Sequence, residues 1–353
     1  MGFAYPRGDR EKCVDCGLCE KVCPFNAQDA LALAGNESGV PLAVYGARHN
    51  EPREVEGSRS GAAFIALSDV VLKKGGVVYG AVFDNSFRVV HARATTPEER
   101  NKMKGSKYVQ SDLEGIFPMV RRDLKAGLDV LFTGTPCQTA GLRAYIGKRL
   151  TEHLYLVDMI CTGVPGPRVW SDYLAYIEKK QGARLTEVNC RDKQMFGWRA
   201  HKETFVFEGS TRKRTFHSKF YDGCLFRPSC TTCPFCNTCR PSDITIGDFW
   251  GVERTRPDFN RDNRGVSLLL INSERGRELL SQAQQDLCIF AARLEDAMQN
   301  RLRSATGEHP QRATFERDYI NKGFLYAARR AGLIGLRYEA ARIKRAIKRR
   351  LGC

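Results

Sequence analysis

Four cysteines within eleven residues, Cys13, Cys16, Cys19 and Cys23, constrain this chain more than any other feature. Thiolates at i, i+3 and i+6 on a tight loop converge on three corners of an iron–sulfur cube, and soft sulfur donors suit iron. Cys23 follows after three residues, with Pro24 behind it. Gly17 relieves crowding where the chain passes the inorganic core, and Pro24 restricts the residue before it. A structural zinc site is the competing reading, but zinc usually takes two cysteine pairs parted by a longer spacer, so the run is read as a 4Fe-4S ligand set. In two-cluster ferredoxins the fourth cysteine of such a run ligates the other cluster, so Cys23 implies a partner run. No partner run precedes it. A second dense group lies downstream at Cys230, Cys233, Cys236 and Cys239, with Cys224 just before it and a last gap of two residues rather than three. It either supplies the missing ligands or holds a cluster of its own, so one or two 4Fe-4S clusters are expected.

Fourteen cysteines in 353 residues argue for metal ligands in a reducing cytoplasm rather than for disulfides, because the opening residues lack the charged and apolar regions of a signal peptide. At 42% hydrophobic the chain can bury one large core or two modest ones. No apolar run reaches the roughly 18 residues a membrane span needs. The net charge of +16 would ordinarily suggest nucleic acid or an anionic surface, yet much of the excess sits in the last twenty-five residues. We therefore expect no nucleic acid, and read the charge as serving anionic cofactors and redox partners.

From the cluster run to residue 60 the chain reads as loop with one short strand at 41–45. Helical spacing over 61–75 is followed by strands at 76–83 and 87–91. A helix starts at Thr96 with Pro97 in its first turn, and Ser111 with Glu114 reads as a capping box opening a helix to Lys125. Strand 129–132, helix 139–148, strand 154–160 and helix 167–180 then alternate as an α/β layer does. Shorter β-like runs at 187–190, 204–207 and 214–216 suggest a β-rich lobe. Strands at 244–246 and 267–271 and a helix at 274–285 return to the α/β pattern. The expected fold is thus mixed α/β: a ferredoxin-like segment over 1–57, an α/β domain over 58–184, a second domain with the cysteine block over 185–290, and a helical basic tail over 291–353.

Three places suit an anionic ligand. The turn holding Thr135, Pro136, Cys137 and Gln138 leaves a strand and enters a helix, where backbone N–H groups can hold a phosphate; Cys137 itself reads as a reactive thiol or as a small buried spacer. Ser58, Arg59, Ser60 and Gly61 form a second helix start with a cation beside it. Ser106, Lys107 and Tyr108 put a cation next to an aromatic, although a plain surface loop would look the same.

Taken together, several segments resemble the beta subunit of coenzyme F420 hydrogenase and dehydrogenase, a family whose relatives include bacterial proteins often found with polysaccharide genes and a reductase of chlorophyll metabolism. They are residues 2–6, the cluster run, 58–61, 75–80, 105–111, 132–138, 158–165, 227–233 and 242–251, in family order. The resemblance implies a flavoprotein binding FAD beside 4Fe-4S clusters, with hydride exchanged between the flavin and an organic partner such as coenzyme F420. It places Ser60, Gly61, Ser106, Lys107, Thr135, Pro136, Cys137 and Gln138 near the flavin or substrate. Asp243, Asp248 and Trp250 match the last segment, where an acidic turn and a core aromatic are the structural alternative. The chain departs from the family in three ways. The cysteine run that often precedes residues 2–6 is absent, Thr162 replaces a common histidine, and Cys236 and Cys239 are additional thiols.

Two functions remain open: an iron–sulfur flavoprotein oxidoreductase working with a redox partner subunit and a small hydride donor or acceptor, or a non-catalytic electron-transfer or accessory partner, including one in polysaccharide biosynthesis. In the tail, Leu336, Ala340, Ile343 and Ile347 recur at helical spacing against a basic face. Such a helix either packs on the body or lies on an anionic membrane surface. A cytoplasmic protein is expected, peripheral to a membrane if the second alternative holds.

Overall fold

The computed structural model describes residues 1–25, 39–210, 214–216, 223–336 and 338. Among them the strands are β1 (Ala43–His49), β2 (Val77–Phe83), β3 (Val89–Ala94), β4 (Val130–Gly134), β5 (Leu154–Met159), β6 (Leu185–Asn189), β7 (Glu203–Phe207), β8 (Arg214–Phe216), β9 (Ile244–Asp248), β10 (Ser267–Ile271) and β11 (Leu287–Ala291). The helices are α1 (Leu18–Lys21), α2 (Pro52–Gly57), α3 (Ala63–Lys73), α4 (Pro97–Asn101), α5 (Ile116–Lys125), α6 (Pro136–Ile146), α7 (Pro167–Gln181), α8 (Lys193–Phe196), α9 (Val252–Thr255), α10 (Glu274–Ala283), α11 (Leu294–Ala297) and α12 (Arg312–Arg330).

One eight-stranded sheet, ordered β11-β1-β10-β9-β5-β4-β2-β3, organises the molecule. Its centre is parallel, with Val77 opposite Val130, Val130 opposite Leu154 and Val157 opposite Ile244. Both flanks are antiparallel. The central strand β4 is buried along its whole length, as a strand covered on both faces must be. Its alternation sends Leu131 to the face covered by α3 and α10, and Val130 and Phe132 to the face covered by α5 and α6. A second antiparallel sheet, β6-β7-β8, forms the β-rich lobe and packs with α7 and α12 through Trp170, Tyr173, Phe205, Phe207 and Phe315. The mixed α/β architecture expected from the alternating pattern is the one observed. None of the described helices is long and apolar enough to cross a membrane.

Local chemistry explains the main differences from expectation. The Ser111 capping box does not form. Residues 111 and 112 are instead held strand-like against β3, with Asp112 N donating to Val89 O at 2.9 Å and His91 N donating to Asp112 O at 2.9 Å. The helix begins later, at Ile116, after Gly115 in a left-handed conformation (φ 73°). The box that does form is one helix further on, where Thr135 caps α6 and Gln138 reaches back to the Thr135 N–H at 2.9 Å, so α6 starts at Pro136 rather than near Thr139. β1 runs on to His49, and α2 and β11 appear where no element was expected. The apolar positions Ala340, Ile343 and Ile347 of the basic tail lie outside the described residues, while Leu336 is exposed.

Candidate functional site

The parallel strands β2, β4, β5 and β9 all end at one edge of the sheet, the edge where α/β folds place ligands. Thiols from three segments gather there. Cys137 stands in the first turn of α6, directly after β4, with its sulfur 3.2 Å from the Thr135 hydroxyl. Cys161 follows β5 by two residues. The chain then passes Gly163 (φ 141°), where a Cβ would stand 2.6 Å from the Phe226 ring, so a glycine is required for the approach. That approach lets Arg227 N donate to Val164 O at 2.9 Å and brings Cys230 and Cys233 beside Cys161.

The four thiols Cys137, Cys161, Cys230 and Cys233 sense one another's charge in all six pairwise combinations. Burial is the largest cause holding the Cys137, Cys161 and Cys230 thiols above their usual range, Cys230 to about 11, and the neighbouring sulfurs add to it. Cys236 belongs at the margin of this group. The Cys233–Cys236 hydrogen bond raises Cys233 and lowers Cys236, and Cys161 also acts on Cys236. Two guanidiniums act in the opposite direction. Arg227 favours ionisation of Cys137 and Cys230, and Arg240 favours ionisation of Cys233, Cys236 and Cys239. Arg240 also fixes the cysteine block to the sheet, donating to Phe235 O at 2.6 Å, to Asp158 Oδ1 at 2.8 Å and to Met159 O at 3.1 Å.

The amino-terminal run is built differently. Cys13, Cys16 and Cys19 are exposed, Cys23 is half-buried, and Asp15 (φ 52°) and Gly17 (φ 65°) turn the backbone left-handed between them. Both sides of the run are anchored. Gln110 exchanges two hydrogen bonds with the Ala4 backbone at 2.9 and 3.0 Å, the Phe25 ring meets Phe235 edge-on at 6.4 Å, and Arg227 lies over both Tyr5 and Phe25. Pro24 abuts α6 at Gly141, where a Cβ would touch it at 3.7 Å. The outer run therefore docks beside the inner thiols. Among the described residues no three thiols, imidazoles or carboxylates stand as a formed ligand shell, so the fit to a cluster rests on donor chemistry: cysteine sulfur in both groups, which suits iron.

A second assembly closes on the end of β9. Asp248 accepts from Arg191 Nη1 at 2.9 Å and from Trp198 Nε1 at 2.7 Å, and Arg59 Nε stands 3.8 Å away. The Trp198 and Trp250 rings stack at 4.5 Å, with His201 on the Trp250 ring at 5.9 Å and the Arg191 guanidinium 5.4 Å from its centre. Tyr108 accepts from Arg191 at 3.4 Å and interacts with Ser106. Lys193 donates to the carbonyls of Val55 and Ser60, and burial lowers its ammonium to about 7. Nearby, Lys107 donates to the Met103 and Lys104 carbonyls, with burial lowering it to about 8.

The sequence-predicted residues thus fall into two neighbourhoods. Ser60 and Ser106 stand at the cationic assembly, with the Ser60 hydroxyl spent on Val266 O at 2.7 Å, while the Lys107 ammonium lies 5.8 Å from the centre of the Phe83 ring and acts on His91. Gly61 is there for packing, since a Cβ would meet Ala47 O at 2.2 Å. Thr135, Pro136, Cys137 and Gln138 stand with the thiols, and the Gln138 amide is committed to the cap and to Ser111 Oγ at 2.8 Å. The spacing grouped Cys230 and Cys233 with Cys236 and Cys239; the fold adds Cys137 and Cys161 beside them and keeps Cys236 on Cys233 through their hydrogen bond. Sequence reasoning gave Cys161 no role; a cysteine just past a buried strand and ahead of a Gly-Val-Pro turn was its one signal. Arg191, Lys193 and Trp198 were missed as well, because they lie in and around the single-turn helix α8, with no motif around them. Asp243 is structural, accepting from Leu156 N at 2.8 Å and from Ser273 Oγ at 2.7 Å.

A cysteine-rich edge on a mixed α/β sheet, beside a run that matches a 4Fe-4S binding domain model over residues 6–29, defines an iron–sulfur electron-transfer protein. Residues 128–297 match the model for the carboxyl-terminal part of the beta subunit of coenzyme F420 hydrogenase/dehydrogenase, a family of oxidoreductase subunits. Thirteen chains of solved structures match. One is from a xenon-derivatized F420-reducing [NiFe] hydrogenase complex of Methanosarcina barkeri, with a TM-score of 0.50 and 16% identity over 82% of this chain and 91% of that one. At that identity the likeness is one of fold. No curated protein matches.

Proposed function

We propose that the chain is an iron–sulfur flavoprotein oxidoreductase that moves electrons between two 4Fe-4S clusters, FAD and an organic hydride donor or acceptor resembling coenzyme F420. The observation that carries this reading is the convergence of Cys137, Cys161, Cys230 and Cys233 at the carboxyl edge of the parallel strands, next to the docked amino-terminal run. These four residues would hold an inner cluster, and Cys13, Cys16, Cys19 and Cys23 an outer one. When bound, the clusters would supply single-electron transfer and the flavin two-electron exchange with the organic partner.

The chain's own residues prepare the site. Arg227 and Arg240 offset thiolate charge, the Thr135–Gln138 cap fixes the turn bearing Cys137, and Phe132, Phe117 and Leu142 keep water from the sheet beneath it. His91 is held neutral there. It is stacked on Phe132 at 5.2 Å with Nε2 donating to Thr133 O at 3.0 Å, and burial lowers its imidazole to about 4. The exposed outer cysteines suit electron exchange with a redox partner subunit, a role supported by the solved relative, which comes from a hydrogenase complex.

The test is the visible spectrum, iron and flavin content of anaerobically purified protein. A broad shoulder near the violet edge together with resolved flavin bands is expected. Iron without flavin would leave an electron-transfer partner, and a colourless preparation would refute the proposal.

A further inference from the structure

Three cations and one carboxylate meet at the end of β9. Arg191 gives Nη1 to Asp248 and Nη2 to Trp198 O and His201, Arg59 gives Nη2 to Trp198 O, and Lys193 spends its bonds on the neutral carbonyls of Val55 and Ser60. The Arg59 and Arg191 side chains are 10% and 5% exposed. Among the described residues Arg59 Nε and Nη1 and Arg191 Nε have no hydrogen-bond partner. The neighbouring acids are engaged elsewhere. Asp262 pairs with Arg48 and Arg264, Glu56 with Arg264, Glu54 with Lys104, and the Asp192 carboxylate accepts from Met195 N and Thr204 Oγ1. Asp248 therefore answers two guanidiniums and the Lys193 amine, in a place largely shut off from water, where unpaired charge and unmet donors are costly.

We propose that Arg59, Arg191 and Lys193 form the binding site for a phosphoryl group of the dissociable organic partner, distinct from the resident flavin. The unpartnered Nε and Nη1 of Arg59, the unpartnered Nε of Arg191 and the Lys193 ammonium offer donors and positive charge that suit the oxygens of a phosphoryl group. The stacked Trp198–Trp250 pair supplies an apolar wall for the organic part attached to it. The assembly sits at the end of β9, while the thiols sit at the ends of β5 and β4. That the partner is a hydride carrier rests on the proposed function; the anion site itself does not.

The test is titration of the full-length, anaerobically purified protein with inorganic pyrophosphate, by calorimetry and by tryptophan fluorescence, since two of the three tryptophans lie in the assembly. Saturable binding is expected, weakened about tenfold or more by Lys193→Met and by Arg59→Met and partly restored by Arg59→Lys. Near-UV circular dichroism reports whether each variant folds; if Arg59→Met does not, Lys193→Met decides. Unchanged affinity in folded Lys193→Met overturns the inference, and so does a wild-type protein with no saturable site, including one whose flavin already fills it. Full iron and flavin with no pyrophosphate site would refute the inference and spare the proposed function. Pyrophosphate binding without any flavin would do the reverse.

Discussion

Cys13, Cys16 and Cys19 are exposed on a stretch whose one helix is the single turn of α1, whereas Cys137, Cys161, Cys230 and Cys233 come from three segments that the sheet draws together. The outer set is contiguous, so its geometry is a property of a dozen residues and of the metal they would bind. The inner set exists only once β4, β5 and the cysteine block have docked, so its geometry is a property of the whole fold. Damage to the outer set should therefore be local, and damage to the inner set should reach stability.

The largest effect should come from Arg240, whose fully buried guanidinium joins the cysteine block to Asp158. Arg240→Met strands a buried carboxylate and should cost about 3–5 kcal/mol in denaturant unfolding. Cys16→Ser, by contrast, should leave the stability of the sheet within about 0.5 kcal/mol. Equal costs would erase the distinction between the two sets.

Acid should separate them next. His91 lies under the inner turn with its imidazole lowered from 6.5 to about 4 by burial. A base kept neutral by folding contributes stability that is complete above about pH 6.5 and is lost as pH falls towards 4, because the unfolded chain takes up the proton first. The loss should be about 3 kcal/mol. His91→Gln should flatten that slope in urea titrations at pH 7, 5.5 and 4.5, and a slope that persists would assign the acid sensitivity elsewhere.

A smaller effect is expected at the α6 cap. Thr135→Val removes the cap and should cost about 0.5–2 kcal/mol, with a matching drop in bound flavin. A drop in iron from the outer set would contradict the separation. Smallest is the electrostatic role of Arg227. Arg227→Met withdraws a positive charge from the inner thiols and should shift the inner cluster's midpoint potential negative by an amount on the order of tens of millivolts, as followed by redox titration.

The same contrast explains what the sequence made legible. The outer run was readable because ligand spacing is local, and the alternating layers were readable because period and caps are local: Thr96, which does accept from Glu99 N at 3.3 Å, and the buried run of β4 are examples. Ser111 and Thr135 carry the same capping pattern, and the choice between them was made by β3, which pairs with residue 112 and pulls Ser111 out of a helix. Cys161 and the Arg59–Arg191–Lys193 assembly were not readable, because Cys161 stands 24 residues from Cys137 and 69 from Cys230, and Arg59 stands 132 from Arg191, distances that only the fold closes. β11 escaped notice because its alternation, Leu287 and Phe290 buried among exposed Cys288 and Ala291, is irregular.

The central claim is that the fold builds an inner cluster site separate from the outer run. It is tested most directly by iron and acid-labile sulfide per chain, with Mössbauer spectra, in wild type, Cys16→Ser, Cys161→Ser and the double variant. Each single variant should lose about half of the iron and the double variant nearly all of it. Full retention of iron in Cys161→Ser would contradict the account.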